Sequence, residues 1–145
     1  MEIHFTKISS ESHGVRVVRT NQTSEAVTLQ TRGFLQHDIA HLALELEVPL
    51  KRGYWGSVAA GASLKGMDIR GQDIVVAESL AGPMHILVRD EAAMPAYKAV
   101  LDRAQPQLSS QNLAERIHER VRRLLGHWRA TPFGEEMVIE WPEGD

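Results

Sequence analysis

Residues 34–48, FLQHDIAHLALELEV, group the side chains of this chain best able to bind a metal ion or move a proton. His37 and His41 stand four residues apart, Asp38 follows the first, and Glu45 lies four beyond the second. On a helix turning about 100° per residue, His37, His41 and Glu45 share a sector of about 80°, and Asp38 projects beside Glu45. Two imidazoles at i and i+4 have Cβ atoms about 5–6 Å apart on one side of a helix, so both can reach one ion. Zinc takes imidazole nitrogen and carboxylate oxygen readily, and a catalytic zinc site combines three protein ligands with one open position. The pair supplies two ligands and leaves the third open. Glu45 is two turns from His37, about 12 Å along the axis, so it either leans back to the ion or orients His41 as a hydrogen-bond acceptor. His85 and Glu78 are alternatives from a later segment, and His118 is a weaker one. The chemistry expected is binding of a divalent cation, zinc first, with metal-assisted hydrolysis as the reaction and Asp38 or Glu45 as the carboxylate that activates water or orients a ligand. The competing reading is a non-enzymatic interaction or regulatory module, in which Asp38 and Glu45 accept from the histidines and lock the helix to its neighbours.

The pattern HDIAH is similar to the HExxH of zinc peptidases, in which the acidic residue activates water at the metal. Asp38 stands in the place of that glutamate and is one methylene shorter. Leu44 and Glu47 occupy the positions where the longer form of that signature has glycine and a third histidine. A wider resemblance joins HDIAHLALE, RGYWGSVAAGA and the tail HWRATPFGEEMVIEW. Together they resemble a group of uncharacterised bacterial proteins of about this length, with an HDxxHxxxE helix, a GxWGxVAxG segment and a final W-x-x-TP strand. That resemblance implies one intact domain and brings no activity with it.

The elements that must position these residues follow from periodicity. Leu35, Ile39, Leu42 and Leu46 form one apolar stripe, while Leu44 and Val48 lie nearly opposite. A helix apolar on two sides is sandwiched between layers, which places the histidines in a partly dry setting. Pro49 ends it, because the residue before proline avoids the α region. Ahead of the helix, residues 2–8, 14–20 and 25–31 read as strands joined by short turns, one of them Ser9 to Gly14, which favours an antiparallel meander. Residues 54–64 are rich in Gly, Ala and Ser and read as a close-packed helix; Tyr54 and Trp55 read as core. Residues 65–73 read as an exposed loop. Residues 74–80 read as a helix that Gly82-Pro83 breaks, with a second segment from 83 to 93. A short helix covers 95–104, and Ser109 or Ser110 suits the N-cap of an amphipathic helix over 112–129. Residues 137–141 alternate and read as a last strand returning to the N-terminal sheet. The expected fold is α+β: a small antiparallel sheet of three N-terminal strands plus a C-terminal one, packed on four or five helices.

Bulk composition narrows the function classes. At 145 residues the chain suits one domain with a real core, and 43% hydrophobic against 24% charged residues is an ordinary globular balance. No apolar run is long enough to span a bilayer, and residues 1–11 lack the pattern of a signal peptide. The absence of cysteine excludes disulfides, thiol nucleophiles and cysteine-ligated zinc, and a reducing cytoplasm is the simplest setting. A net charge of -3 argues against a general affinity for nucleic acid or anionic membrane. Arg116, Arg120 and Arg123 share one flank of the last helix as a weak candidate surface for phosphate or an acidic partner. A solvated amphipathic face explains them more simply. The GxxxxG at Gly56 to Gly61 lacks the following Lys-Ser/Thr of a P-loop, and no serine has a nucleophile-elbow context.

Overall fold

The structure, a computed structural model, describes residues 1–143, with the side chains of Ser109 and Ser110 outside the description. Four antiparallel strands form one sheet in the order β3-β2-β1-β4: β1 is Glu2–Lys7, β2 Ser12–Val18, β3 Ser24–Gln30 and β4 Glu136–Glu140. Alternation fixes which face is buried. Ile3 and Phe5 of β1 lie opposite Val17 and Val15 of β2, and opposite Ile139 and Met137 of β4. Those side chains face the core, with Val27 and Leu29 of β3 packed at its margin. The expected return of the last strand is seen: β4 pairs with β1, and the Met1 ammonium donates to the Trp141 carbonyl at 3.2 Å.

The described residues also form five α-helices: α1 Thr31–Glu47, α2 Tyr54–Ala59, α3 Gln72–Arg89, α4 Met94–Ala104 and α5 Leu113–Ala130. The start of α1 is kinked. Gly33 has φ of 92°, a conformation that favours glycine, and the helix runs regularly only beyond it. From Leu35 to Glu45 the helix is buried on most sides, against α3 and α5 and against β2 and β3. The sandwiched setting read from its two apolar faces is therefore the observed one. The buried apolar residues of sheet and helices form one cluster. No helix among the described residues is long and apolar enough to cross a membrane.

Four local expectations need correction. Helix α3 is continuous through Gly82 and Pro83 instead of breaking there. Ala77, Leu80 and Ala81 before the proline, and Met84 and Leu87 after it, are all buried on one side of the helix. That packing outweighs the roughly 3 kcal/mol a helical proline costs. The carbonyl four residues back belongs to exposed Ser79, where water can satisfy it. Helix α2 stops at Ala59, five residues short of the predicted end, because Gly61 turns the chain at φ of 112°. Strand β2 begins at Ser12, so His13, assigned by periodicity to a turn, is a strand residue facing the core. Helix α5 is preceded by Asn112 in a left-handed conformation at the N-cap position, in place of Ser109 or Ser110.

Candidate metal centre

The continuity of α3 places Glu78 and His85 two turns apart on one helix, about 10 Å along its axis, and both meet the histidine face of α1. His37, His41 and Glu78 form a group in which one ligand atom from each lies within 4.8 Å of the others, a spacing that could hold a metal ion. Glu78 Oε1 is 3.2 Å from His41 Nε2, and Glu78 Oε2 is 3.7 Å from His37 Nε2. The two imidazoles meet edge to face, with ring centroids 4.7 Å apart. Two nitrogens and one carboxylate oxygen from two helices make the donor set of a three-ligand site.

His41 is 2% exposed, and its two nitrogens have unequal surroundings. Nδ1 is 3.1 Å from Glu45 Oε2 and donates to it, which leaves Nε2 as the nitrogen turned toward Glu78 and His37. Nε2 has no hydrogen-bond partner: Glu78 Oε1 is close but lies off the N–H direction. A buried nitrogen without a partner costs roughly 1–3 kcal/mol. Burial works to lower the His41 pKa, but the Glu45 hydrogen bond and the charges of Glu45 and Glu78 outweigh it and hold the imidazole above its usual value. His37 moves the other way. Burial and the neighbouring charge of His41 hold it below the usual histidine value.

Glu45 is placed as an orienting residue, not among the converging donors. Its carboxylate accepts from the backbone N–H of Tyr54 at 2.9 Å, of Trp55 at 2.9 Å and of Gly56 at 3.3 Å, besides His41. Those amides begin α2, so one buried carboxylate ties α2 to α1 and fixes the His41 ring. The glycines of the GYWG run explain themselves here. A Cβ on Gly53 would meet Glu45 Oε1 at 2.4 Å, and one on Gly56 would meet the Lys51 carbonyl at 2.3 Å. Trp55 adds a further tie, donating from Nε1 to the Asp38 carbonyl at 3.0 Å. Its ring is fully buried, as a core residue.

His85 lies beside His37 and outside the group of three. The rings are nearly parallel at 10°, with His37 Nδ1 3.3 Å from His85 Nε2 and Gln36 Nε2 3.3 Å from His85 Nδ1. His85 therefore sets the orientation of His37, as Glu45 does for His41. His118 is buried on α5 and is not part of the group. Asp38 lines the same cavity as the group, and burial pushes its carboxyl up to about 7; the charge of His41 pulls it down and that of Glu78 pushes it further up. A carboxyl that exchanges its proton near neutrality suits general acid–base work. Behind the cavity wall, Glu25 accepts from Ser63 Oγ at 2.7 Å and from the Leu64 amide, and buried Arg19 donates to the Val58 and Ala62 carbonyls. This clasp fixes the loop after α2 where it borders the cavity.

The arginine flank of α5 is largely engaged within the molecule. Arg120 binds Glu47 at 2.7 Å and Arg116 binds the same carboxylate at 3.2 Å, joining α5 to the end of α1. Comparison with known protein families, curated proteins and solved structures finds no match for this chain.

Proposed function

We propose that the protein binds a divalent cation, zinc first, through His37 Nε2, His41 Nε2 and Glu78, and that it is a metal-dependent hydrolase with Asp38 as its general base. The observation that carries this reading is the convergence of the buried His41, which makes no hydrogen bond at Nε2, with a second imidazole and a carboxylate from another helix, one ligand atom of each within 4.8 Å of the others. A divalent ion there supplies Lewis acidity to a carbonyl and acidifies water. The protein's own residues do the rest. Glu45 and His85 hold the two rings in place, and Asp38 takes up a proton near neutral pH and returns it.

The same carboxylates support a second, non-enzymatic reading through one observation. Glu45 uses both oxygens on backbone amides and His41, so His41 can serve as a charged strut between Glu45 and Glu78 with no metal at all. The untagged chain, dialysed against zinc and freed of excess, separates the two. Near-stoichiometric zinc that is lost in His37→Ala and in Glu78→Ala supports the metal reading. A folded chain that takes up no zinc, cobalt or manganese at micromolar free ion overturns it and leaves the strut.

A further inference from the structure

The geometry points to a small amphipathic carboxylate as the ligand class of the cavity over this centre, with its apolar body against the α1–α3 wall and its anion at Lys65. The reacting end rests on the metal reading above; the seat for the anion does not.

The cavity has a volume of about 330 Å³, at the small end of the usual range for small-molecule sites. Its polar floor is His37, Asp38, His41 and Glu78. The rest of the wall is mostly apolar and comes from separate parts of the chain: Leu29 of β3, Phe34 of α1, Ile74 of α3, and Leu64 and Ile69 of the loop between α2 and α3. Tyr54 also lines it, but its hydroxyl already donates to the Leu64 carbonyl at 2.6 Å, so it offers the ring and not a donor. Phe34 is 49% exposed at this border and adds an aromatic ring to the apolar lining. Such a wall lacks the dense donors and acceptors that a sugar needs and the several cations that a polyphosphate needs.

Lys65 is the one lysine or arginine lining the cavity, and the ion pairs formed among the described residues do not include it. Gly66 beside it has φ of 73°, and a Cβ there would touch the Tyr54 ring at 3.4 Å, so the backbone after Lys65 lies against the aromatic wall. One lysine outside those ion pairs, among the mostly apolar residues of the wall, matches one carboxylate on an apolar body, while Asp38 and Glu78 at the other end disfavour a second anion there. A carbonyl elsewhere on the same molecule then lies over the His37, His41 and Glu78 group.

Calorimetric titration with phenylbutyrate, phenylbutanol and phenylbutylamine, which share one body and differ at the end, tests the assignment. Zinc-loaded protein and chelator-treated protein are titrated separately. The acid is expected to bind about tenfold tighter than the alcohol, and the amine weakest, with Lys65→Met removing most of that preference while leaving the alcohol unchanged. Equal binding of the three, or binding of none, by folded protein overturns the proposal. So does an acid preference that survives Lys65→Met, since the carboxylate then sits on the metal. Lack of zinc uptake defeats the hydrolase reading alone, because the three ligands still report on Lys65 in chelator-treated protein.

Discussion

His41 and His13 are both buried, both bonded through Nδ1 and both unpartnered at Nε2, yet they belong to different kinds of place. His41 has a carboxylate behind it and another carboxylate and an imidazole in front. His13, on β2, has only the Thr31 hydroxyl at 3.1 Å, the Phe5 ring stacked at 6.4 Å and the Trp128 ring edge-on at 6.0 Å. Burial pushes the His13 pKa down, while the acids around His41 more than reverse the same effect. The pair teaches that an orphaned buried nitrogen marks a ligand site only where further donors converge on it. By itself it marks a cost carried by the core.

The largest expected effect breaks this comparison if it fails. His41→Ala should lower zinc affinity by about a hundredfold or more, exceeding the 10- to 100-fold typical of outer-shell changes, while His13→Phe leaves it unchanged. Competition with a chromophoric chelator measures both. Comparable losses in the two variants would mean that metal uptake reports global folding and not coordination.

Next in size is the carboxylate behind His41. Glu45→Ala strips acceptors from three amides and an imidazole, two of those amides in buried residues, and should cost about 3–5 kcal/mol of unfolding free energy. Glu45→Gln keeps acceptor capacity on one oxygen and should lose less than half of that. Urea denaturation of the metal-free chain gives both numbers. A Glu45→Ala cost below about 1 kcal/mol would show that α2 does not depend on this anchor.

The opposite pKa directions separate the two histidines by sign. For His13 the unfolded state binds the extra proton, so its stability contribution is complete above the unfolded value near 6.5 and is lost as pH falls below it. For His41 the folded state binds the extra proton, so its contribution is complete below 6.5 and is lost as pH rises through its raised folded value. His13→Phe should therefore flatten the acid side of the metal-free stability profile, and His41→Gln the alkaline side. Each slope is limited to about 1.4 kcal/mol per pH unit for one proton. Asp38, also titrating near neutrality, cancels in the His13→Phe comparison; His41→Gln removes the charge that pulls the Asp38 carboxyl down, so the alkaline side is compared in an Asp38→Asn background. An acid limb unchanged in His13→Phe would refute the buried-neutral assignment.

Much of this was legible in the sequence. Alternation in residues 2–8 and 25–31 gives strands, and the stripes of residues 34–48 and 112–129 give two of the three long helices, because one-sided burial writes its period into the chain. The histidine pair was legible for the same reason. Glu78 appeared only as one alternative third ligand, because its approach depends on how α3 folds back across α1. The Gly82-Pro83 pair hid the continuity that carries both Glu78 and His85, since a local breaking rule competes there with packing on both sides of the proline. Glu45 as an anchor was half visible: its spacing from His41 suggested an orienting role, but its grip on α2 lies between segments. The GYWG run carried that signal, for glycines flanking two aromatics mark close backbone approach. His13 gave no signal, because one histidine near a turn looks the same whether it faces water or core.

The smallest effect tests the quieter half of the comparison. Thr31 stands to His13 as Glu45 stands to His41, but it offers one neutral hydroxyl and belongs to the first turn of α1, ahead of the Gly33 kink. Thr31→Val keeps the shape and leaves both His13 nitrogens without partners. The Thr31 backbone N–H, which donates to the Glu11 carbonyl at 2.8 Å, is untouched. The expected cost is about 1 kcal/mol, the net worth of a neutral buried hydrogen bond, with zinc affinity unchanged because the kink separates Thr31 from the regular helix bearing His37 and His41. A shift in zinc affinity beyond about threefold would show that strain at the start of α1 reaches the histidine rings, since coupling that strong exceeds what independent sites display. His13 would then be a support of the centre and not its contrast.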